Sequence, residues 1–420
     1  MTWDPVRSAA DDAGASLPIQ QRLQRAQARM VTHAPVQLLE LGARAEALLG
    51  TDAAVERAAL MTGLSAEHTH FFPGFGLYLP LPGGIAVGAR PSEVTSVRVE
   101  IARIYGRLGR DEISAAASHP MSEVSARVAE EIVALVAEML GCPVEAVVVL
   151  TMPACGESLV AAVAVAAVQA IARADPDQPP LSREARLQYA QQACEGYTRR
   201  AFGVAACVAA LDGAPPSLLL VDAARRTSRE VAPPSRDEVV WGLVHVPPEA
   251  KPGGPFAPDF FKLRTAQVQA ATLLLRKSPL AVGADPLQTL RDVEHRLIAD
   301  ALALLPDDQQ PVVRHLLSED RRVPRLLMAL NRRDGQVLGA TLLVSHASLR
   351  DDWGNSTPTV QFVYDQGTGV EGLYGMRLTG TGFGGCMLVV GRPFLLPTFL
   401  DTVAERYAET YRRPLHTLVL

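Results

Sequence analysis

The chain has 420 residues, 48% hydrophobic and 20% charged, which is enough for two domains with sizeable cores and too apolar for a disordered chain. Its formal net charge of −5 gives no overall pull toward nucleic acid or an anionic membrane, so neither is expected as a partner. The five cysteines are scattered, odd in number and never spaced CxxC, which suggests neither a disulfide framework nor a zinc site and leaves reduced, mostly buried thiols as the expectation.

Residues 1–20 are polar and are expected to form a flexible N-terminus. They hold no apolar signal core, so a cytoplasmic location is expected. From Pro18 to Leu49 the apolar positions recur at helical spacing. Between 71 and 92 the run LYLPLPGGIAVGA reads as two short strands around a Pro-Gly-Gly turn, with a further strand over 94–104. A helix is expected from Met121 to Leu140, then the strand AVVVL ending at Leu150, a loop, and a helix reaching 172. A loop so placed presents backbone N–H groups at a helix N-terminus, where an anion is favoured. The most apolar stretch, Leu159 to Val168, is about half the length of a membrane span and reads as a buried helix. Helical sequence resumes from Ser182 to Ala210, before the strand SLLLVDA at 217–223. A proline-punctuated segment around VVWGLVHV suits a domain junction. Beyond it, 261–350 reads as mostly helical and 361–420 as strands plus a terminal helix. Strands and helices without strict alternation predict an α+β architecture in two lobes.

Three stretches in register carry a resemblance: Glu67-His68-Thr69 followed by FFPGFGLYLP, SHASLRDD from Ser345 to Asp352, and YGMRLTGTGFGGC from Tyr374 to Cys386. Together they resemble galactokinases, members of the GHMP small-molecule kinase family, across roughly residues 40–420. The resemblance implies a two-lobed GHMP kinase fold. Its N-terminal ribosomal-protein-S5-like lobe would cover 21–235 and its C-terminal ferredoxin-like lobe 236–420. It also implies ATP with Mg2+, and transfer of a phosphoryl group to the C1 hydroxyl of galactose in the cleft between the lobes.

Phosphoryl transfer to an alcohol is mostly positioning and charge stabilisation, helped by a carboxylate that accepts the proton and a nearby cation. By the family's spacing the Asp position is Ala206 and the Arg position is Met61, so no catalytic side chain is assigned with confidence. The resemblance places Glu67, His68, His70, Gly203 and Phe261 at the sugar, with His70 standing where the family has an aspartate. It places Cys155, Gly156, Glu157 and Ser158 at the phosphates of ATP. Pro153 removes an amide donor there and Glu157 adds a carboxylate facing an anionic ligand. Ser158 and Glu195 are its candidate metal ligands. Gly380, Gly382, Gly384 and Gly385 form a glycine loop that supports the floor of the site.

Simpler readings stand beside these. Glu67 and His68 can be a packed polar pair, His70 a satisfied histidine among Phe71 and Phe72, and Ser158 a helix N-cap; His346 and Arg350 can belong to a structural network. The expected function is a galactokinase-like protein with impaired turnover that binds nucleotide, sugar or both, with a protein partner if it acts as a sensor. The alternatives are an active kinase on another small alcohol, with His70 or Glu157 repurposed, and a partner-binding module with an empty cleft.

Overall fold

The computed structural model describes residues 38–103, 122–152, 156–249, 254, 256–278, 280 and 287–420. The expected flexible tail over 1–20 and the nucleotide-side residue Cys155 lie outside these residues, and the helix expected from Pro18 is described from Leu38 onward.

Helix α1 (Leu38–Leu49) buries Leu41, Ala45 and Leu49 against Val55, Ala86, Val147 and Val149 of a six-stranded sheet. The sheet contains β1 (Ala54–Ser65), β2 (Phe75–Pro91), β3 (Ser96–Arg103), β4 (Val144–Met152), β5 (Leu218–Asp222) and β6 (Thr227–Val231), in the order β3-β4-β2-β5-β6 with β1 also on β2. Only β3 and β4 run parallel.

Strand β2 is the spine of the sheet. Its first residues, Phe75 to Tyr78, pair with β5, its last, Ile85 to Pro91, pair with β4, and β1 runs along it from Ala54 to Ser65. The Pro-Gly-Gly expected as a turn is therefore a kink inside one continuous strand. Partners on both edges hold it extended. At the kink Thr151 Oγ1 accepts from Gly84 N at 3.0 Å and lies 3.2 Å from Gly84 O, standing in for ladder partners that the prolines disrupt. Gly83, at φ +90°, sits so close to Thr151 that a Cβ would fall 2.2 Å from its Oγ1.

Packed on the sheet are α2 (Ser122–Leu140), α3 (Gly156–Ala174) and α5 (Val204–Asp212), and α4 (Arg183–Thr198) packs on these three helices. The alanine-rich α3 is buried almost all round, as expected for that run. By length and composition it is the one described helix able to cross a membrane, yet 83% of its apolar window is buried inside the protein. The helical sequence expected over 182–210 is broken at 199–203. Ser182 caps the start of α4 by accepting from Ala185 N, and Arg199 ends it in the left-handed conformation. The turn that follows enters the candidate site.

A four-stranded antiparallel sheet follows: β7 (Val240–Val246), β8 (Leu373–Thr379), β9 (Gly385–Gly391) and β10 (His416–Val419), in the order β10-β7-β9-β8. Its helices are α6 (Pro258–Arg276), α7 (Ile298–Ala303), α8 (Gln310–Arg332), α9 (Gly335–Ser348), α10 (Pro358–Gly367) and α11 (Leu396–Tyr411). The C-terminal reading needs correction at both ends. Helix α10 persists to Gly367, and α11 is followed by β10, which returns to pair with β7 because that edge offers the unpaired backbone of Gly242 to His245. The thiol expectation also needs correction: Cys142, Cys194 and Cys207 are free and buried, whereas Cys386 is disulfide-bonded.

Candidate functional site

The end of β1 leads into a 3-10 turn, Glu67–His70, wedged between the two sheets. Glu67 occupies the centre of an inter-lobe network. Its Oε1 accepts from Gly380 N at 3.0 Å and Thr379 Oγ1 at 3.3 Å; its Oε2 accepts from Ala66 N at 3.2 Å and Arg377 Nη2 at 2.9 Å. Three N–H donors and the Thr379 hydroxyl, which shares its one proton with Gly63 O at 2.8 Å, surround the carboxylate and leave it little acceptor capacity for a sugar hydroxyl. Arg377, fully buried on β8, also donates to Leu64 O and lies 3.7 Å from Glu319 on α8. Burial lowers its pKa, but Glu67 and Glu319 outweigh this and hold it above the ordinary arginine value. Burial likewise works to raise the pKa of Glu319. Arg377 and Arg322 keep it ionised, and Ser65 and Ser345 complete its shell at 3.1 and 2.7 Å.

His68 turns away from this network. Its Nε2 lies 2.9 Å from Phe75 O, a carbonyl that can only accept, so the proton is on Nε2. Nδ1 has no partner among the described residues, and burial lowers the ring's pKa despite Asp320 3.7 Å away.

His70 points the other way, into a second cluster. The Gly203 N–H donates to Nδ1 at 2.6 Å, which places the ring proton on Nε2, 3.3 Å from Glu157 Oε2. The other oxygen of Glu157 is ion-paired with Arg200, whose guanidinium is 1% exposed and lies 3.9 Å from the centroid of the Phe261 ring. Burial would raise the pKa of Glu157, yet His70 and Arg200 lower it to about 2. Phe261 stacks on Phe71, and Phe202 meets the His70 ring edge-on. Phe261 is thus a platform for Arg200, and Gly203 is the amide that fixes the tautomer of His70.

Met61 and Ala206 reach this cluster from β1 and α5. With Glu67, His70, Glu157, Ser158 and Gly380 they line one cavity of about 20 Å3, room for about one water. Seven of the residues singled out in sequence thus meet at one place. Both carboxylates among them are bound by protein donors, Glu157 by the two cationic or N–H groups of Arg200 and His70, and His70 presents a donor rather than a lone pair to Glu157. The carboxylates there are held ionised by cationic partners, which makes them weak proton acceptors for an alcohol.

The candidate metal ligands are not brought together. Ser158 lies within the first turn of α3, not at its cap, and donates to Met61 O at 2.7 Å. Glu195 accepts from Phe202 N at 3.2 Å and so stabilises the 199–203 turn. Among the described residues no three His, Cys, Asp or Glu side chains converge as a metal site.

On the other side of Gly380 a cleft of about 270 Å3 runs between the lobes, lined by Val124, Val128, Gly156, Leu159, Phe256 and the glycine loop from Gly380 to Cys386. Gly380, Gly382, Gly384 and Gly385 all have positive φ, as does Phe383 at 59°. Phe383 N donates to Asn355 O at 2.8 Å, while its carbonyl accepts from Glu249 N at 2.9 Å. A Cβ on Gly382 would fall 2.5 Å from Asn355. The loop is therefore fixed from behind, and its backbone forms one wall of the cleft. A cleft of this size with apolar walls and few polar groups suits the nucleoside end of a nucleotide. Behind this sheet His346 accepts from Leu378 N at 3.2 Å, whereas Arg350 pairs with its neighbour Asp351 at the surface, so SHASLRDD contributes packing.

The model superposes on the structure of Lactococcus lactis galactokinase complexed with galactose over 91% of this chain and 97% of that one, with a TM-score of 0.67 at 17% identity. The fold is that of galactokinase. Methanococcus jannaschii mevalonate kinase also matches, with a TM-score of 0.51 at 10% identity over 87% of this chain and 96% of that one, so the architecture is the two-lobed α+β fold of the GHMP kinases. In sequence the chain is 35% identical to a Roseiflexus galactokinase over 127 residues, 30% of this chain and 32% of that protein. It is 32% identical to the Homo sapiens galactokinase over 123 residues, 29% of this chain and 31% of that protein. The chain thus matches these curated relatives over about a third of their length. No protein-family model matches it.

Arg377, Glu319 and Arg200 were not singled out from the sequence. Arg377 sits inside YGMRLTGTGFGGC, where the glycines drew the attention. Arg200 and Glu157 are far apart in sequence, and only the fold shows that they neutralise each other.

Proposed function

We propose that this protein is a GHMP-fold relative of galactokinases that holds the nucleoside part of a nucleotide in its inter-lobe cleft and turns over galactose weakly or not at all. The observation that supports the reading is the contrast across Gly380, a cleft of about 270 Å3 on one side and a void of about 20 Å3 on the other. The smaller space is where the resemblance puts the reacting hydroxyl. It is bordered by Met61 and Ala206, which cannot accept a proton or stabilise developing charge. Galactose is far larger than one water, and the polar side chains around the void already bond one another.

The test is a thermal-shift titration with ATP, ADP and galactose, separately and together, alongside a coupled assay for galactose phosphorylation. Nucleotide is expected to raise the melting temperature, galactose to leave it unchanged, and magnesium to add little to the nucleotide effect. Galactose phosphorylation at about 1 per second or faster, ordinary for a kinase, would overturn the reading.

A further inference from the structure

Glu157 is an unusual group to find in the first turn of a helix whose neighbouring residues Gly156 and Leu159 line the inter-lobe cleft. Its side chain is only 11% exposed, and each carboxylate oxygen is held by a different cationic or donor side chain, Arg200 and His70. Arg200 is more deeply enclosed. Apart from Glu157 its guanidinium bonds only Ala201 O, at 3.0 Å, and its Nε has no partner among the described residues. The face of Phe261 supports it, and the Gly203 amide fixes the donor edge of His70 toward the same point. Without Glu157, this geometry is an anion site: a buried guanidinium and an imidazole N–H converging on the point that the carboxylate fills.

We propose that the Glu157 carboxylate is a built-in ligand of this anion site, occupying the place of a phosphate group and closing the phosphate end of the cleft to one. The proposal deepens the nucleotide reading, since it limits the cleft to ligands recognised by their nucleoside end. It has a direct consequence for selectivity: the wild-type protein binds ATP no more tightly than ADP. The third phosphate finds Arg200 and His70 already engaged.

The experiment uses the full chain and inorganic phosphate, with sodium chloride at matched ionic strength as the control. In Glu157→Ala, phosphate is expected to raise the melting temperature and to bind roughly tenfold or more tightly than in wild type, the effect of one charge-assisted bond becoming available. In Glu157→Ala combined with Arg200→Leu the gain is expected to vanish. Glu157→Gln, which keeps the shape of the side chain, guards against misfolding of the alanine variant and is expected to show a smaller gain in the same direction. A folded Glu157→Ala or Glu157→Gln protein with no phosphate response beyond the chloride control overturns the proposal. So does a gain that survives loss of Arg200. The phosphate assay needs no nucleotide. A wild-type protein that ignores ATP and ADP while Glu157→Ala captures phosphate therefore removes the nucleotide reading and leaves this one standing.

Discussion

On one side of Gly380 the fold keeps an open cleft walled by backbone, and on the other it closes a void around ion-paired side chains. Both spaces share Thr379 and Gly380, so one loop borders two environments. The open side is built from glycines in left-handed conformations, which need only a backbone held from behind by Asn355 and Glu249. The closed side is built from long charged groups that must be paired once they are buried. Loss of one side chain on the closed side leaves a partner exposed to a low dielectric, so that side changes as a unit.

Acid should separate the two lobes most strongly. His315 and His346, on α8 and α9, are lowered to about 3, chiefly by burial. Below the ordinary value of 6.5 the unfolded chain takes up their protons and the folded one does not. Stability should therefore fall as the pH drops from 6.5 toward 3, by about 1.4 kcal/mol per pH unit for each ring at most. Glu157 behaves differently. Its folded value of about 2 against 4.5 confines its contribution to a loss between pH 4.5 and 2. Urea unfolding across this range should show the imidazole window first, and a flat profile from pH 6.5 to 4.5 contradicts it.

Next in size is Arg377→Met, which leaves Glu67 and Glu319 buried without their shared cation. A loss of about 3–5 kcal/mol in urea unfolding is expected. Placing Met61→Arg and Ala206→Asp together should cost about 2 kcal/mol and restore no galactose phosphorylation, because the added side chains enter a water-sized void. Turnover in that double variant, read by the coupled assay, breaks the contrast between open and closed sides. Smaller still, Ser158→Ala should lose about 1 kcal/mol, the worth of its bond to Met61 O, and leave nucleotide binding unchanged by calorimetry.

Where the sequence was legible, it was legible through backbone chemistry. The glycine loop and the strand–loop–helix around Gly156 announce themselves by residue type, and the apolar run 159–168 could only be core. Strand β1 did not announce itself. AVERAALMTGLS is rich in good helix formers, and only pairing along the whole of β2 makes it a strand. The same long-range pairing turned the expected Pro-Gly-Gly turn into a kink. Within the site, Met61 and Ala206 were located by spacing and do line one cavity, but the roles of Glu67 and Glu157 depended on partners more than forty residues away. Arg377 is 310 residues from Glu67 and Arg200 is 43 from Glu157. No local pattern encodes such pairs.

The link from Gly380 through Glu67 to Arg377 and Glu319 also limits how the molecule can move. A hinge between the lobes would have to pull the half-buried Glu67 carboxylate from Arg377, Thr379 and Gly380 at once, so wide opening about the cleft belongs to the rare, partly unfolded excursions of the protein. Ligand exchange is then confined to the mouth of the cleft, and the two halves travel as one body. Hydrogen exchange would register this as slow protection of Gly380, whose amide reaches across the lobes to Glu67.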